Sequence, residues 1–355
     1  MGIHIVLAIV GIVAGEVFLV LDFINRVLGS YSRTAAGTLW RLAAGLVPFV
    51  ALASPAVLLA LGWDTTAVHV LCVVAGAVGW LVALHFLVPY KWGVRRMPED
   101  THQRGQRPLR RGVMLQDCRL ETDRLPEGTD HLTIVALSDL HCTTHQKVET
   151  LTEALEALGE EERFDFVLVL GDFGEEPNLL PEVLRGLATI PSRYGVYCVR
   201  GNHDFERDRA ELIRDLAAVH GVLLLPNETH DVPGTGITLV GIERPWDSQP
   251  LPKPTGGRFA IGLSHTPDNI RRFERLGVDI GFAGHTHGGR LSLGRLGSVL
   301  VPGLLGRFME RGLFQVGKTR MYVTAGVGYF LARFGKEGEI LRVTLCRPKP
   351  AGEED

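Results

Sequence analysis

Five short blocks in this 355-residue chain bring together side chains able to do chemistry: Asp139-Leu140-His141, Gly171-Asp172, Gly201-Asn202-His203-Asp204, Ser264-His265 and Gly284-His285-Thr286-His287. Each closes a short apolar run. Carboxylate, imidazole and amide oxygen recur while thiolate does not, a donor mix that suits Mn²⁺, Fe or Zn²⁺ better than Ca²⁺ or a Cys-rich structural zinc. Residues two apart at a strand terminus share a face, so Asp139 and His141, and likewise His285 and His287, are expected to point the same way. Glycines on both sides of that last pair ("GHTHGG") let backbone and substrate come close. An exposed Gly-rich turn would explain the hexapeptide alone, and a structural role is the reading for the isolated His131, His220 and His230. Coincidence is a poor explanation of all five blocks, which together predict a metal site.

The elements that must position these blocks are legible as short runs. Residues 132–141, 164–172 and 194–204 are apolar almost throughout and alternate with the helical stretches "KVETLTEALEALGEEE" and "RDRAELIRDLAAVHG". Strands buried on both faces and alternating with helices are an α/β signature. Later runs, at 237–243, 259–265, 279–287 and 320–326, have fewer helices between them, so two packed sheets between helices are expected. Ligands gather at the carboxyl ends of strands in such sheets. The Pro- and Gly-rich segment 244–257 reads as a loop that either borders a pocket or connects strands, the connector being the favoured reading.

The first ninety residues differ in kind. Segments 3–21, 42–61 and 67–87 are each about the twenty apolar residues needed to cross a bilayer, which predicts three transmembrane helices. A cleavable signal peptide is the competing reading of the first, but it has no basic leader and no clear cleavage site. Glu16, His69 and His85 are either bundle-facing polar residues or part of a proton or ligand pathway. Arg26, Arg33 and Arg41 flank the first loop, and Lys91, Arg95, Arg96, Arg104, Arg107, Arg110 and Arg111 follow the third segment. The positive-inside rule then places both basic regions, and everything after residue 90, in the cytoplasm.

Five cysteines without a C-x-x-C pair fit reduced thiols there. The net charge of −3 says little, because the positive charge is concentrated at 91–111. That run reads as a linker drawn to anionic lipid heads, and no nucleic-acid partner is expected beside a membrane anchor. The expected organisation is an anchor over 1–92, a basic juxtamembrane linker and lead-in over 93–129, a catalytic domain over 130–347 and a polar tail over 348–355.

In type and order, the blocks D-x-H, G-D, G-N-H-D, a lone His and G-H-x-H resemble the calcineurin-like metallophosphoesterase superfamily over residues 130–345. The resemblance implies an αββα sandwich and two divalent metal ions, Mn²⁺ foremost with Fe or Zn²⁺ as alternatives. It implies that Asp139, His141, Asp172 and His287 hold one metal and that Asp172, Asn202, His265 and His285 hold the other, with Asp172 bridging. Two cations about 3.5–4 Å apart polarise a phosphoryl oxygen and acidify a water. His203 is then the group that protonates the leaving oxygen or stabilises the transition state, with Asp204 orienting its ring. Arg200 is either a phosphate clamp or a surface ion pair, and His145 either a substrate contact or a surface residue.

Glu175 stands where many members carry Asp, "CTTHQK" replaces a frequent Leu-Gly, and the tail "RFGKEGEIL" matches only loosely. With its apolar N-terminus the chain is similar to the membrane-anchored branch, some members of which cleave UDP-2,3-diacylglucosamine to UMP and lipid X in lipid A synthesis. That implies a multi-pass protein of the inner (cytoplasmic) membrane with its catalytic domain facing the cytoplasm and a lipid-linked substrate. The apolar stretch 296–314 either meets acyl chains or belongs to the core. A general phosphodiesterase acting on phospholipid head groups or nucleotides would share every motif. A non-catalytic membrane scaffold is the alternative of another class, and the complete ligand set and His203 stand against it.

Overall fold

With no proline to interrupt it, the apolar stretch at the N-terminus forms one unbroken helix, α1 (Ile3–Gly29). It is followed by α2 (Val50–Ala60) and α3 (Thr66–Leu87) in a computed structural model of the chain. The structure describes residues 3–29, 50–63, 65–87, 93–98, 103–110, 112–160, 163–206, 208–253, 255–289, 301–303, 305, 308–328 and 337–348. Two compact units result, Met1–Trp92 and Gly93–Asp355.

In the first unit α1 and α3 meet through small residues. A Cβ on Gly15 would sit 2.5 Å from the Gly79 Cα, and one on Gly76 would sit 2.5 Å from the Ala8 Cα, so the backbones touch where a side chain would part them. Among the described residues one helix, Ile3–Val20, is long and apolar enough to cross a membrane, where the sequence leads one to expect three. Residues 42–49 of the second expected span and the side chains of residues 82–87 of the third lie outside the described residues, and what is described of them is the apolar helices Val50–Ala60 and Thr66–Leu81.

The second unit is built on two seven-stranded sheets. Its strands are β1 (Arg95–Arg96), β2 (Gln103–Arg110), β3 (Val113–Glu121), β4 (His131–Leu137), β5 (Phe166–Val169), β6 (Val196–Cys198), β7 (Val222–Leu224), β8 (Thr229–Val232), β9 (Ile237–Ile242), β10 (Phe259–Ser264), β11 (Ile280–Ala283), β12 (Gly312–Val316), β13 (Thr319–Val323) and β14 (Gly338–Cys346). Helices α4 (His145–Gly159), α5 (Leu180–Ala188), α6 (Arg209–His220) and α7 (Ile270–Leu276) complete it. One sheet has the order β2-β3-β14-β4-β5-β6-β7 and the other β1-β12-β13-β11-β10-β9-β8. Strands β4 to β7 run parallel, as do β9, β10, β11 and β13, so their carboxyl ends gather at one edge of each sheet.

The period-2 alternation of a strand sorts side chains into layers. Ile134 and Ala136 of β4, with Phe166 and Leu168 of β5, enter a core shared with Leu239 of β9 and Ile261 of β10, between the sheets. Val135, Leu137, Val167 and Val169 face the other way, onto Val148, Leu151 and Leu155 of α4 and Leu180, Val183 and Leu184 of α5. Phe273 of α7 packs on the outer face of the second sheet. The order helix, sheet, sheet, helix is the one expected from the sequence.

One expectation is corrected. The stretch 93–129 contributes strands to both sheets, since β1 pairs with β12 and the β2–β3 hairpin extends the first sheet, with Val113, Leu115, Cys118 and Leu120 of β3 buried. Its arginines disguise a strand pattern as a linker. Of the apolar stretch 296–314, residues 296–300, 304, 306 and 307 lie outside the described residues, while Val301, Leu305, Met309, Leu313 and Phe314 are buried in the core.

Arg200, just past β6, reaches across to Glu243, just past β9. Its Nε and Nη2 donate to the two carboxylate oxygens at 3.0 and 2.7 Å, its backbone N–H adds a third bond at 2.8 Å, and both side chains are buried. This residue is thus neither a phosphate clamp nor a surface pair but a bolt between the sheets. Breaking such a pair from one side strands the other charge. Glu243→Ala is expected to cost about 3–5 kcal/mol, and Arg200→Met with Glu243→Leu distinctly less, as read from thermal unfolding of the detergent-purified chain by tryptophan fluorescence.

Candidate metal centre

The five blocks lie immediately beyond β4, β5, β6, β10 and β11, at the shared carboxyl edge. Seven non-glycine residues among those described have positive φ, and five of them are expected ligands: Asp139 (54°), His141 (43°), Asp172 (58°), His285 (69°) and His287 (52°). The left-handed region costs a residue with a Cβ roughly 1–3 kcal/mol and gathers at functional sites. This corrects the expectation about strand faces. Asp139 and His141 follow the end of β4, and His285 and His287 the end of β11, so left-handed turns and not a pleat aim both members of each pair inward.

Glycines make room for these turns. A Cβ on Gly201 would overlap Asp172 Oδ1 and lie 2.8 Å from His265 Nδ1, and one on Gly284 would overlap Ser138 Oγ and Asp139 Oδ2. The spacing in "GHTHGG" therefore reflects contact between two loops, one from each sheet.

The donor atoms converge on a common volume. His265 Nδ1–H donates to the Leu170 carbonyl at 2.7 Å, which turns Nε2 toward Asn202 Oδ1 at 3.1 Å, Asp172 Oδ2 at 3.2 Å and His285 Nδ1 at 3.1 Å. His141 Nδ1–H donates to Glu175 Oε1 at 2.9 Å, and its Nε2 lies 3.6 Å from Asp172 Oδ2 and 3.9 Å from Asp139 Oδ1. His287 Nε2 is 3.5 Å from the same Asp139 oxygen. That oxygen is buried and accepts no hydrogen bond, whereas Oδ2 accepts from Ser138 Oγ at 2.6 Å and from the His285 backbone at 2.9 Å. Among the described residues four groups could hold a cation, Asp139-His141-His287, Asp172-His265-His285, His141-Asp172-His203 and Glu175-His203-Glu206, and the first two consist of expected ligands alone. A buried carboxylate oxygen with no donor, amid imidazole nitrogens, fits a divalent metal.

All seven expected ligands are buried, and Asp172 lies next to both groups. His203 keeps 12% of its side chain exposed and packs edge-on to His141 with ring centroids 5.0 Å apart. Asp204 does something other than orient the His203 ring. Its carboxylate accepts the backbone N–H groups of Asp172, Phe173 and Gly201 at 2.7, 3.0 and 2.8 Å, bracing the loops that carry Asp172 and Asn202. The carboxylates nearest His203 Nδ1 are Glu175 at 3.2 Å and Glu206 at 3.3 Å.

His145 is exposed, with one ring nitrogen 3.9 Å from Glu182, so it stands outside the cluster. His131 is exposed, while half-buried His230 packs against Tyr197. Among the apolar helices His69 lies 3.0 Å from the Thr65 carbonyl, and the side chain of His85 lies outside the described residues. Sequence reasoning missed Glu206, Arg209 and Trp246. The last sits edge-on to His265 and His285, at 5.4 and 5.3 Å, so segment 244–257 borders the centre as well as connecting strands.

Electrostatics follow from the crowding. Burial alone would lower the pKa of His265, yet the Asp172 and Asp139 carboxylates carry it up to about 9. Burial likewise opposes the charge on His203, and Asp172, Glu175 and Glu206 raise it to about 9. Glu175 goes the other way. Burial pushes its carboxyl up, but hydrogen bonds from His141 and His203 prevail and hold it well below the usual carboxylate range. Asp204 is pushed up to about 7 by burial and by Asp172, against its three N–H donors.

Two sheets between helices, with a buried oxygen and nitrogen donor set at their common carboxyl edge, are the build of a metal-dependent hydrolase. Residues 132–289 match the family model of the calcineurin-like phosphoesterases, and the chain carries a metallophosphoesterase domain of that family. It is 26% identical over 239 residues to the uncharacterized metallophosphoesterase YkuE of Bacillus subtilis, a match covering 64% of this chain and 83% of that one. It is 28% identical over 206 residues to the phosphodiesterase YaeI of Escherichia coli, covering 55% and 74%. A transmembrane protein with metallophosphoesterase domain from Danio rerio is 26% identical over 259 residues, covering 64% of this chain and 56% of that longer protein.

A proton on His265 occupies the place of a cation. Because its metal-free pKa is raised to about 9, the ring is protonated at pH 7 and must lose that proton to coordinate. Metal affinity of the chelator-stripped protein should therefore rise with pH up to about 9, roughly tenfold per unit for each proton displaced. Titration calorimetry with Mn²⁺ in buffers of different ionisation enthalpy would measure the proton release, and a pH-independent affinity would contradict this arrangement.

Proposed function

We propose that this chain is a membrane-associated phosphohydrolase with two metal ions that cleaves a phosphodiester or pyrophosphate bond in a lipid-linked substrate. The observation that carries the reading is the convergence of Asp139, His141, Asp172, Asn202, His265, His285 and His287 around the buried Asp139 Oδ1, which accepts no hydrogen bond. Asp139, His141, Asp172 and His287 would hold one cation, and Asp172, Asn202, His265 and His285 the other. Bound there, two divalent ions, Mn²⁺ foremost, would supply Lewis acidity toward a phosphoryl oxygen and lower the pKa of a water. The residues of the chain supply the rest. His203, the partly exposed imidazole at the rim, donates a proton to the leaving oxygen, and burial of the ligands keeps bulk water from screening their charge.

The apolar helix Ile3–Val20 and the transmembrane relatives favour membrane association. Multi-pass insertion in a cytoplasmic membrane, with the basic residues at 26–41 and 91–111 on the inner side near anionic lipid heads, belongs to the same proposal. UDP-2,3-diacylglucosamine, cleaved to UMP and lipid X, is the substrate we put forward. A broader phosphodiesterase is the second reading, favoured by the name of the Escherichia coli relative.

Detergent-purified protein with Mn²⁺ is expected to release UMP from UDP-2,3-diacylglucosamine, and Asp172→Ala or a chelator should reduce the rate by at least about a hundredfold. Cleavage of bis(p-nitrophenyl) phosphate without UMP release would keep the hydrolase and reject this substrate.

A further inference from the structure

Two carboxylates compete for one imidazole nitrogen beside the metal ligands. Glu175 Oε1 lies 3.2 Å from His203 Nδ1 and Glu206 Oε1 lies 3.3 Å from it. The two are not equivalent, because the same Glu175 oxygen accepts the Nδ1–H of His141 at 2.9 Å. Coordination through Nε2 makes the opposite N–H of an imidazole a stronger donor, so a ligating His141 takes the larger share of Glu175. Glu206 is left with His203.

A buried guanidinium holds this arrangement. Arg209 is 1% exposed, and its Nη1 donates to the Glu175 carbonyl at 2.5 Å. Its Nη2 donates to the His203 carbonyl at 2.6 Å and to Glu206 Oε2 at 3.3 Å. Asp208, at φ 59°, turns the chain into α6 immediately before Arg209. One side chain thus ties the loop after β5 to the loop after β6 and offsets the charge of two carboxylates that would otherwise repel.

We infer that Glu206, held by Arg209, is the positioning residue for His203, while Glu175 serves the metal ligand His141. The inference rests on the proposed function, in which His203 meets the substrate. It divides two similar acids by role, and the roles have different signatures: loss of the Glu206 charge should misalign a proton donor, and loss of the Glu175 charge should loosen a metal.

The test uses the full chain in detergent, loaded with Mn²⁺ and desalted, with metal content by elemental analysis and kcat and KM on bis(p-nitrophenyl) phosphate. Glu206→Gln is expected to keep the wild-type metal content and a KM within about twofold while kcat falls roughly ten- to a hundredfold. Glu206→Asp should regain part of that loss, which a packing role would not produce. Glu175→Gln should lose metal together with activity. If Glu206→Gln leaves kcat unchanged, or sheds metal as Glu175→Gln does, the division of roles is wrong. A wild type that cleaves no diester overturns the proposed function and this inference with it.

Discussion

Everything at the carboxyl edge of this domain answers to one electrostatic constraint: two buried aspartates and four imidazoles aimed at a common volume. Removing a carboxylate from water costs several kcal/mol even after relaxation, and like acceptors facing one another add to it. The fold relieves that cost with donors only in part. Asp139 Oδ1 accepts no hydrogen bond at all, although Oδ2 of the same side chain accepts two. Positive charge must therefore come from outside the chain or from protons, and the upward shift of His265 to about 9 is the proton solution. Divalent cations are the solution for which the donor types are suited.

The same constraint explains where strain is tolerated. Five expected ligands sit in left-handed backbone conformations that each disfavour a side chain. They persist because their surroundings overdetermine them. The Asp139 N–H donates to the Gly171 carbonyl at 3.0 Å, that of His141 to the Asp172 carbonyl at 3.0 Å, and Asp204 binds three N–H groups of the neighbouring loops. A substitution at Gly201 or Gly284 would place a Cβ against ligand atoms, so the glycines belong to the site as much as the histidines do.

Much of this was legible in the sequence, and what was not has physical reasons. The ligand blocks stand out because Asp, Asn and His rarely end apolar runs without cause, and β4, β5, β10 and β11 show as uninterrupted buried strands. Strand β14 was obscured by its charged residues, yet it lies between β3 and β4 in the first sheet. Arg342 of that strand is accommodated by Asp117 of β3, a pairing between residues distant in sequence that no local pattern reveals. The β2–β3 hairpin was hidden in the same way by its arginines. Arg209 and Glu206 escaped notice because their roles depend on where α6 begins relative to the loop after β5. The separation of Asp204 from the His203 ring is likewise a matter of rotamer and turn, which adjacency in sequence does not determine.

The two sheets divide the ligands between them. Asp139, His141, Asp172 and Asn202 follow strands of the first sheet, and His265, His285 and His287 follow strands of the second. Distances across the centre are therefore set by how the sheets pack, through the layer of Ile134, Phe166, Leu168, Leu239 and Ile261 and through the bond between Arg200 and Glu243. Protein interiors pack as densely as organic crystals and transmit small changes in volume. A metal centre tolerates only tenths of an ångström in its ligand distances. The apolar layer between the sheets is thus part of the catalytic apparatus although none of its residues carries a reactive group, and the buried Arg200–Glu243 pair has a role that stability alone would not demand. A well-packed apolar pair would hold the sheets as firmly, but the three hydrogen bonds of the ion pair also fix their register beside the Asn202 loop.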